Sequence, residues 1–186
     1  AQHVGCRVVQ APIVMAQGDV TMPDELVLQA LTAAAFAPFG DVIERRASQH
    51  CSMNGATFER FGQLADIDVG DREHTNISIV DCAVVSTLPH RIEMLERHPK
   101  ASQAFIPLDQ QPFVVVVAPA DDQPNLSALR AFRSDGHQGF NMRRGIWHMP
   151  LIGFQPGQSF LIIDRVDPDN CDEFALPSPI LLREAQ

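Results

Sequence analysis

The sequence predicts a mainly β fold: an antiparallel barrel or sandwich with a few short helices. Three observations carry this. Short runs alternate polar and apolar with the period of a half-buried strand, as in His74-Thr75-Asn76-Ile77-Ser78-Ile79-Val80. Fourteen prolines and eleven glycines are spread over 186 residues, which suits many short elements joined by turns. The run Phe113-Val114-Val115-Val116-Val117-Ala118 is solidly apolar, β-branched and too short for an ordinary helix, so it reads as a strand buried on both faces.

Residues 1–22 are weakly patterned and read as an N-terminal extension. Residues 23–186 read as one domain, with no internal repeat and no linker. Residues 25–30 alternate as a strand. Thr32 is placed to cap a short helix over Ala33-Ala34-Ala35-Phe36, which Pro38 and Gly40 end. Residues 41–44 return as a strand. Residues 45–57 read as a polar loop with a turn at Asn54-Gly55. Strands are expected over 75–80, 90–96, 102–107 and 113–118. Asn125 is expected to cap a short helix over 126–131. Residues 139–143 and 146–154 read as strands broken at Gly145, and 160–165 as another. The tail from Asp167 is Pro-rich and reads as loop.

Composition excludes several classes. The formal net charge is -9, so the surface repels phosphate backbones and nucleic acid is not expected as a partner. No apolar run approaches the length of a transmembrane helix, and no membrane partner is expected. Residues 1–10 lack the apolar core and cleavage site of a signal peptide. Cys6, Cys51, Cys82 and Cys171 form no CxxC pair. They are expected as free, mostly buried thiols in a reducing cytoplasm. The expected partner is a small anionic molecule, because a few local arginines can outweigh the distant field inside a cleft.

Glu96 and His98 stand two apart in a strand pattern, so both project from one face. With Gln103 they give Glu-x-His-x4-Gln, a convergent oxygen and nitrogen set that a single-metal site in a small barrel can use. About 45 residues on, Trp147-His148-Met149-Pro150 puts His148 on the face opposite Trp147, where it could complete a group of four. The bland alternative is a buried histidine satisfied by its neighbours. Glutamine is a poor metal ligand, and Gln103 is more naturally a hydrogen-bond donor to substrate. His90 shares the parity of Glu96 and could mark the edge of the site. His3, His50, His74 and His137 are expected at the surface. Arg60, after the Asn54-Gly55 turn, Arg144 and Arg165 are the guanidinium groups placed to grip a carboxylate at the mouth of a barrel. Arg72, Arg91, Arg97 and Arg143 belong to the same informative set, and for any single arginine of it solvent exposure is the more ordinary reading.

These stretches resemble the ureidoglycolate lyase family. Leu95-Glu96-Arg97-His98-Pro99, Gln103-Ala104-Phe105-Ile106-Pro107, residues 113–118, residues 126–132, Trp147-His148-Met149-Pro150-Leu151, Phe160-Leu161-Ile162-Ile163-Asp164-Arg165, Asn54-Gly55 and Asp169-Asn170-Cys171 occur in that family's order. The resemblance runs from about Leu26 to Leu181. It implies a cupin-type β-barrel, usually a homodimer, that cleaves ureidoglycolate to glyoxylate and urea in allantoin catabolism. It also implies one divalent metal, nickel or zinc, at Glu96, His98, Gln103 and His148, and no organic cofactor. Acid–base work is implied for Glu96, His98 and His148, and substrate contacts for Asn54, Arg60, Gln103, Arg144 and Arg165. The chain departs from the family at Asp81, where a basic residue is common, and near Met142, where tyrosine is common. Two competing classes are another metal-dependent small-acid cupin enzyme, an oxygenase or isomerase, and a non-catalytic barrel that binds a small acid.

Overall fold

The computed structural model describes residues 6–9, 22–71 and 74–185. Most of the expected extension, together with His3 and Arg72, lies outside the described residues. The strands are β1 (Arg7–Val8), β2 (Glu25–Val27), β3 (Gln29–Ala30), β4 (Gly40–Ile43), β5 (His50–Met53), β6 (Phe58–Phe61), β7 (Asn76–Asp81), β8 (His90–Arg97), β9 (Gln103–Pro107), β10 (Val114–Ala118), β11 (Arg130–Arg133), β12 (Gly139–Met142), β13 (Trp147–His148), β14 (Ser159–Asp164) and β15 (Asp172–Arg183). One short helix, α1 (Ala33–Phe36), is capped as expected: Ala35 N–H donates to Thr32 Oγ1 at 3.2 Å.

The strands form two main sheets. The first runs β1-β15-β8-β13-β10-β11-β3, with β2 also on β15; the second runs β4-β12-β9-β14-β7. The parity of β10 explains how they stack. Val115 and Val117 join Phe105, Phe113, Phe132, Phe140, Phe160 and Ile162 in an aromatic-rich core between the sheets. Val114, Val116 and Ala118 face the other way, into a second core with Leu95, Trp147, Phe174 and Leu182. This strand is therefore buried on both faces, as its composition predicts. The mainly β class holds, as a two-sheet sandwich of the cupin-like kind in which the sheets share no hydrogen-bonded ladder among the described residues.

Gly40 has a packing reason. A Cβ there would lie 1.9 Å from the Asn141 carbonyl oxygen, so any side chain would push β4 off β12.

Four local readings are corrected. The polar loop at 45–57 contains β5 and pairs it with β6 in an exposed hairpin, whose residues lack the alternation that marks a half-buried strand. The expected helix over 126–131 stops at a 3-10 turn, Leu126–Ala128, with no side-chain cap from Asn125. Residues 130–133 pair with β10 instead, so a tertiary partner overrides local propensity. The expected strand 146–154 shrinks to Trp147–His148, because Pro150 offers no N–H to a ladder. The Pro-rich tail becomes the longest strand, twelve residues antiparallel to β8. Its register shifts between Ala175 and Ile180, and Pro177 and Pro179 fall within that irregularity, where a missing donor costs no ladder bond.

The cysteine reading is also corrected. Cys6 and Cys171 form a disulfide across 165 residues of sequence. Cys51 is exposed and Cys82 partly buried. Spacing could not reveal a pair so distant. The bridge fastens β1 in parallel beside the start of β15.

Candidate active site

The site forms where β8 and β13 meet. Glu96 and His148 are direct cross-strand partners. Leu95 is fully buried in the outer core, so Glu96, its neighbour along the strand, points between the sheets. Trp147 does the same for His148. Its ring lies in the outer core, 6.1 Å from the Phe174 ring, with Arg97 4.8 Å above it and its indole N–H donating to the Asp121 carbonyl at 3.0 Å. Removing so large a buried ring costs ~3–5 kcal/mol, whereas the cation–π contact is worth ~0.5–1 kcal/mol. Packing is therefore what fixes this face of β13.

Glu96, His98 and His148 each turn one ligand atom inward, and the three atoms lie within 4.8 Å of one another. The two rings are 5.3 Å apart, centre to centre. Both histidines are anchored from behind. His98 Nδ1 lies 2.6 Å from the Asn170 carbonyl and His148 Nδ1 lies 3.1 Å from the Ile146 carbonyl. A carbonyl only accepts, so each Nδ1 carries a proton, and in the neutral form of either ring the lone pair falls on Nε2. Both Nε2 atoms are buried without a hydrogen-bond partner. His148 Nε2 stands 3.3 Å from Glu96 Oε1 without the alignment of a hydrogen bond. Two acceptors at that separation call for a proton or a cation between them. Two imidazoles fixed by backbone carbonyls plus one carboxylate are a donor set compatible with a divalent metal.

The electrostatics agree. Burial pushes the Glu96 carboxyl upward, but the His148 contact and the positive charge that either ring carries when protonated outweigh it, so the group sits below the ordinary glutamate value. Burial, followed by the neighbouring His148, lowers His98; the Asn170 carbonyl, Glu96 and Asp164 offset this only in part. Glu96 is thus a carboxylate and His98 a neutral imidazole near pH 7.

A cavity of about 380 Å³ opens beside this cluster. It is lined by Glu96, Gln103, Phe105, Phe160, Ile162 and Leu151, with Asp81, Cys82 and Ser86 also on its wall. Its size suits a small metabolite. Gln103 comes from β9 in the second sheet, facing the cluster on the first.

Other expected site residues are elsewhere. Asn54 and Arg60 belong to the exposed β5–β6 hairpin and do not line this cavity. Arg144 is exposed and binds Asp68 with two bonds, at 2.8 and 2.6 Å. Arg165 is buried and pairs with Asp71 and with Asp167, the latter at 2.9 Å. Neither of the two guanidinium groups lines the cavity. His90 pairs with Leu182 and is also off the wall. His50, His74 and His137 are exposed, as expected.

Two residues that matter to the site were not singled out from sequence. Asn170 ties the cluster down: besides its carbonyl on His98, its Oδ1 accepts from Lys100 N–H at 2.8 Å and its Nδ2 donates to the Arg165 carbonyl at 2.9 Å. Asp164 accepts from Gln103 Nε2 at 3.4 Å and from Asn76 Nδ2 at 3.2 Å. The only hint of Asp164 in the sequence was a carboxylate closing an apolar strand.

A two-sheet β fold with a histidine–histidine–carboxylate cluster beside a small inner cavity defines a cupin-like enzyme of small-molecule chemistry. The family model for ureidoglycolate lyase matches residues 23–183. The chain is 44% identical over 158 residues to a ureidoglycolate lyase of Pseudomonas entomophila strain L48, covering 84% of this chain and 95% of that protein. It is 45% identical over 150 residues to the ureidoglycolate lyase of Pseudomonas syringae pv. syringae strain B728a, covering 80% and 88%, and 45% identical over 149 residues to that of Pseudomonas putida strain W619, covering 80% and 89%. The chain belongs to the ureidoglycolate lyase family.

Proposed function

We propose that this protein is a carbon–nitrogen lyase that cleaves ureidoglycolate to glyoxylate and urea in allantoin (purine) degradation and so serves nitrogen utilisation. The observation that carries the reading is the convergence of Glu96, His98 and His148 beside a cavity of metabolite size, in a chain of this family. We read residues 23–186 as the single catalytic domain, 1–22 as an extension, and the working form as a homodimer in the cytoplasm.

Glu96, His98 and His148 would hold a divalent cation such as nickel or zinc, with Gln103 as the fourth candidate ligand. When bound, the cation supplies a Lewis acid that favours the alkoxide of the substrate hydroxyl. The chemistry asked of the protein is proton movement. Cleavage removes the hydroxyl proton, forms the aldehyde C=O, breaks the C–N bond and returns a proton to the leaving nitrogen. Glu96, held ionised, or the bare Nε2 of His98 takes the first proton. His148 gives the second from Nε2, relaying the proton that Glu96 Oε1 takes 3.3 Å away, while its Nδ1–H stays on the Ile146 carbonyl. Positioned acid–base groups of this kind contribute ~10²–10⁴-fold. A ring that ligates a metal cannot also shuttle that proton, so each histidine has one role at a time. Phe105, Phe160 and Leu151 keep the cavity wall apolar and exclude water from the step.

The purified protein should release urea and glyoxylate in equal amounts from ureidoglycolate. Two ammonia per glyoxylate with no urea would instead make it an amidohydrolase. His148→Ala should abolish turnover with unchanged circular dichroism, and retained activity would remove His148 from the mechanism. Metal analysis of protein purified without chelators reads the cation directly. A second reading, an iron-dependent oxygenase, draws on the same donor set; oxygen uptake with bound iron would favour it.

A further inference from the structure

We propose that Gln103 recognises the ureido end of the substrate as a hydrogen-bond acceptor, and that Asp164 is the positioning residue that imposes this polarity. The inference rests on the lyase reading and reverses the donor role that glutamine suggests by itself. An amide side chain has two faces, and its partners decide which one meets a ligand. The Asp164 carboxylate only accepts, and Gln103 Nε2 donates to its Oδ2 at 3.4 Å. Asp164 is itself held from the far side, where Asn76 Nδ2 donates to its Oδ1 at 3.2 Å and also to Ser78 Oγ at 2.6 Å. Asn76 and Asp164 are direct cross-strand partners on β7 and β14, so the ladder fixes the relay.

The amide nitrogen is thereby spent on the protein side. Gln103 lines the cavity, is nine-tenths buried, and its Oε1 has no partner. A buried acceptor without a partner is costly, and a ligand that donates to it recovers the loss. A ureido group carries N–H donors, whereas a carboxylate carries none and would be repelled. Glu96 and Asp81 on the same wall reinforce that choice. The leaving nitrogen side of the substrate therefore faces β9, and the carboxylate faces away from it.

The test compares two probes by calorimetry. N-carbamoylglycine carries the ureido group and a carboxylate but no hydroxyl to cleave; glyoxylate carries the carboxylate without N–H donors. In Asp164→Asn the new amide can donate to Gln103 Oε1 and turn its nitrogen toward the ligand. Affinity for N-carbamoylglycine should fall on the order of tenfold, while that for glyoxylate stays within about twofold. KM for ureidoglycolate should rise more than kcat falls. Asp164→Glu should recover part of the loss, and metal content should not change. If Asp164→Asn folds poorly, Gln103→Met puts the same question by removing both ends of the amide. Equal weakening of both probes would show a merely structural role and overturn the proposal. Loss of metal in Asp164→Asn would make Oε1 a ligand and overturn it too. A wild-type protein that binds N-carbamoylglycine in this Asp164-dependent way yet releases no urea would refute the lyase reading and leave the recognition intact.

Discussion

At the scale of single residues, the site is defined by which atoms are paired and which are left bare. Asn170 makes two side-chain hydrogen bonds behind His98, besides the carbonyl that alanine would keep, so Asn170→Ala should lower stability by about 1–3 kcal/mol, read by denaturant unfolding. A wild-type-like midpoint would show that the backbone alone holds that turn. Acid should weaken the folded state for two reasons of the same sign. Glu96 lies below its ordinary value, so its contribution is present above ~4.3 and is lost as pH falls through its lowered value. His98 also lies below its ordinary value, so the unfolded chain takes up a proton first and stability falls once pH drops under ~6.5. In metal-free protein, His98→Gln should flatten the fall in melting temperature between about pH 7 and pH 5. An unchanged slope would mean that His98 does not titrate differently on folding. Glu96, His98 and His148 were legible because strand parity puts them on one face. Asp164 and Asn170 were not, because their roles lie in partners 61 and 72 residues away in sequence.

At the scale of elements, the alternation of β7 and β8 and the apolar run of β10 were plain in the sequence, since each buries its own pattern. β11 and β15 were not, because each exists through its partner: β10 recruits 130–133, and β8 recruits the Pro-bearing tail. The Cys6–Cys171 bridge was equally hidden, and it has a local consequence. Arg7 N–H donates to the Cys171 carbonyl and Val9 N–H to the Glu173 carbonyl, both at 2.8 Å, while Arg7 and Arg97 share the buried Asp172 carboxylate. A two-residue strand has little else to hold it. Reduction should therefore speed hydrogen exchange at Arg7 and Val9 and leave the β8–β15 amides protected. Unchanged exchange at Val9 would show that the ion pair with Asp172 suffices to keep β1 in place.

At the scale of the whole molecule, the proposed homodimer needs a surface, and β7 offers one. It is the last strand of the second sheet and pairs only with β14 among the described residues. Its outward positions carry Ile77 and Ile79, 65% and 63% exposed, and Val84 just beyond is 82% exposed. An open edge with bare β-branched residues invites further pairing, and this one carries no lysine or proline to discourage it. A second copy related by a two-fold axis meets the same row with its own, because an isologous contact sets one patch against itself. Charge placed on that row should break the contact. Ile77→Lys with Ile79→Glu should sediment as one chain where the wild type sediments as two. The same strand carries Asn76, whose amide holds Asp164 behind Gln103, so loss of the partner should also raise KM for ureidoglycolate. A wild-type protein that sediments as a single chain at high micromolar concentration would exclude this interface. A variant dimer as tight as the wild type would move the interface away from β7.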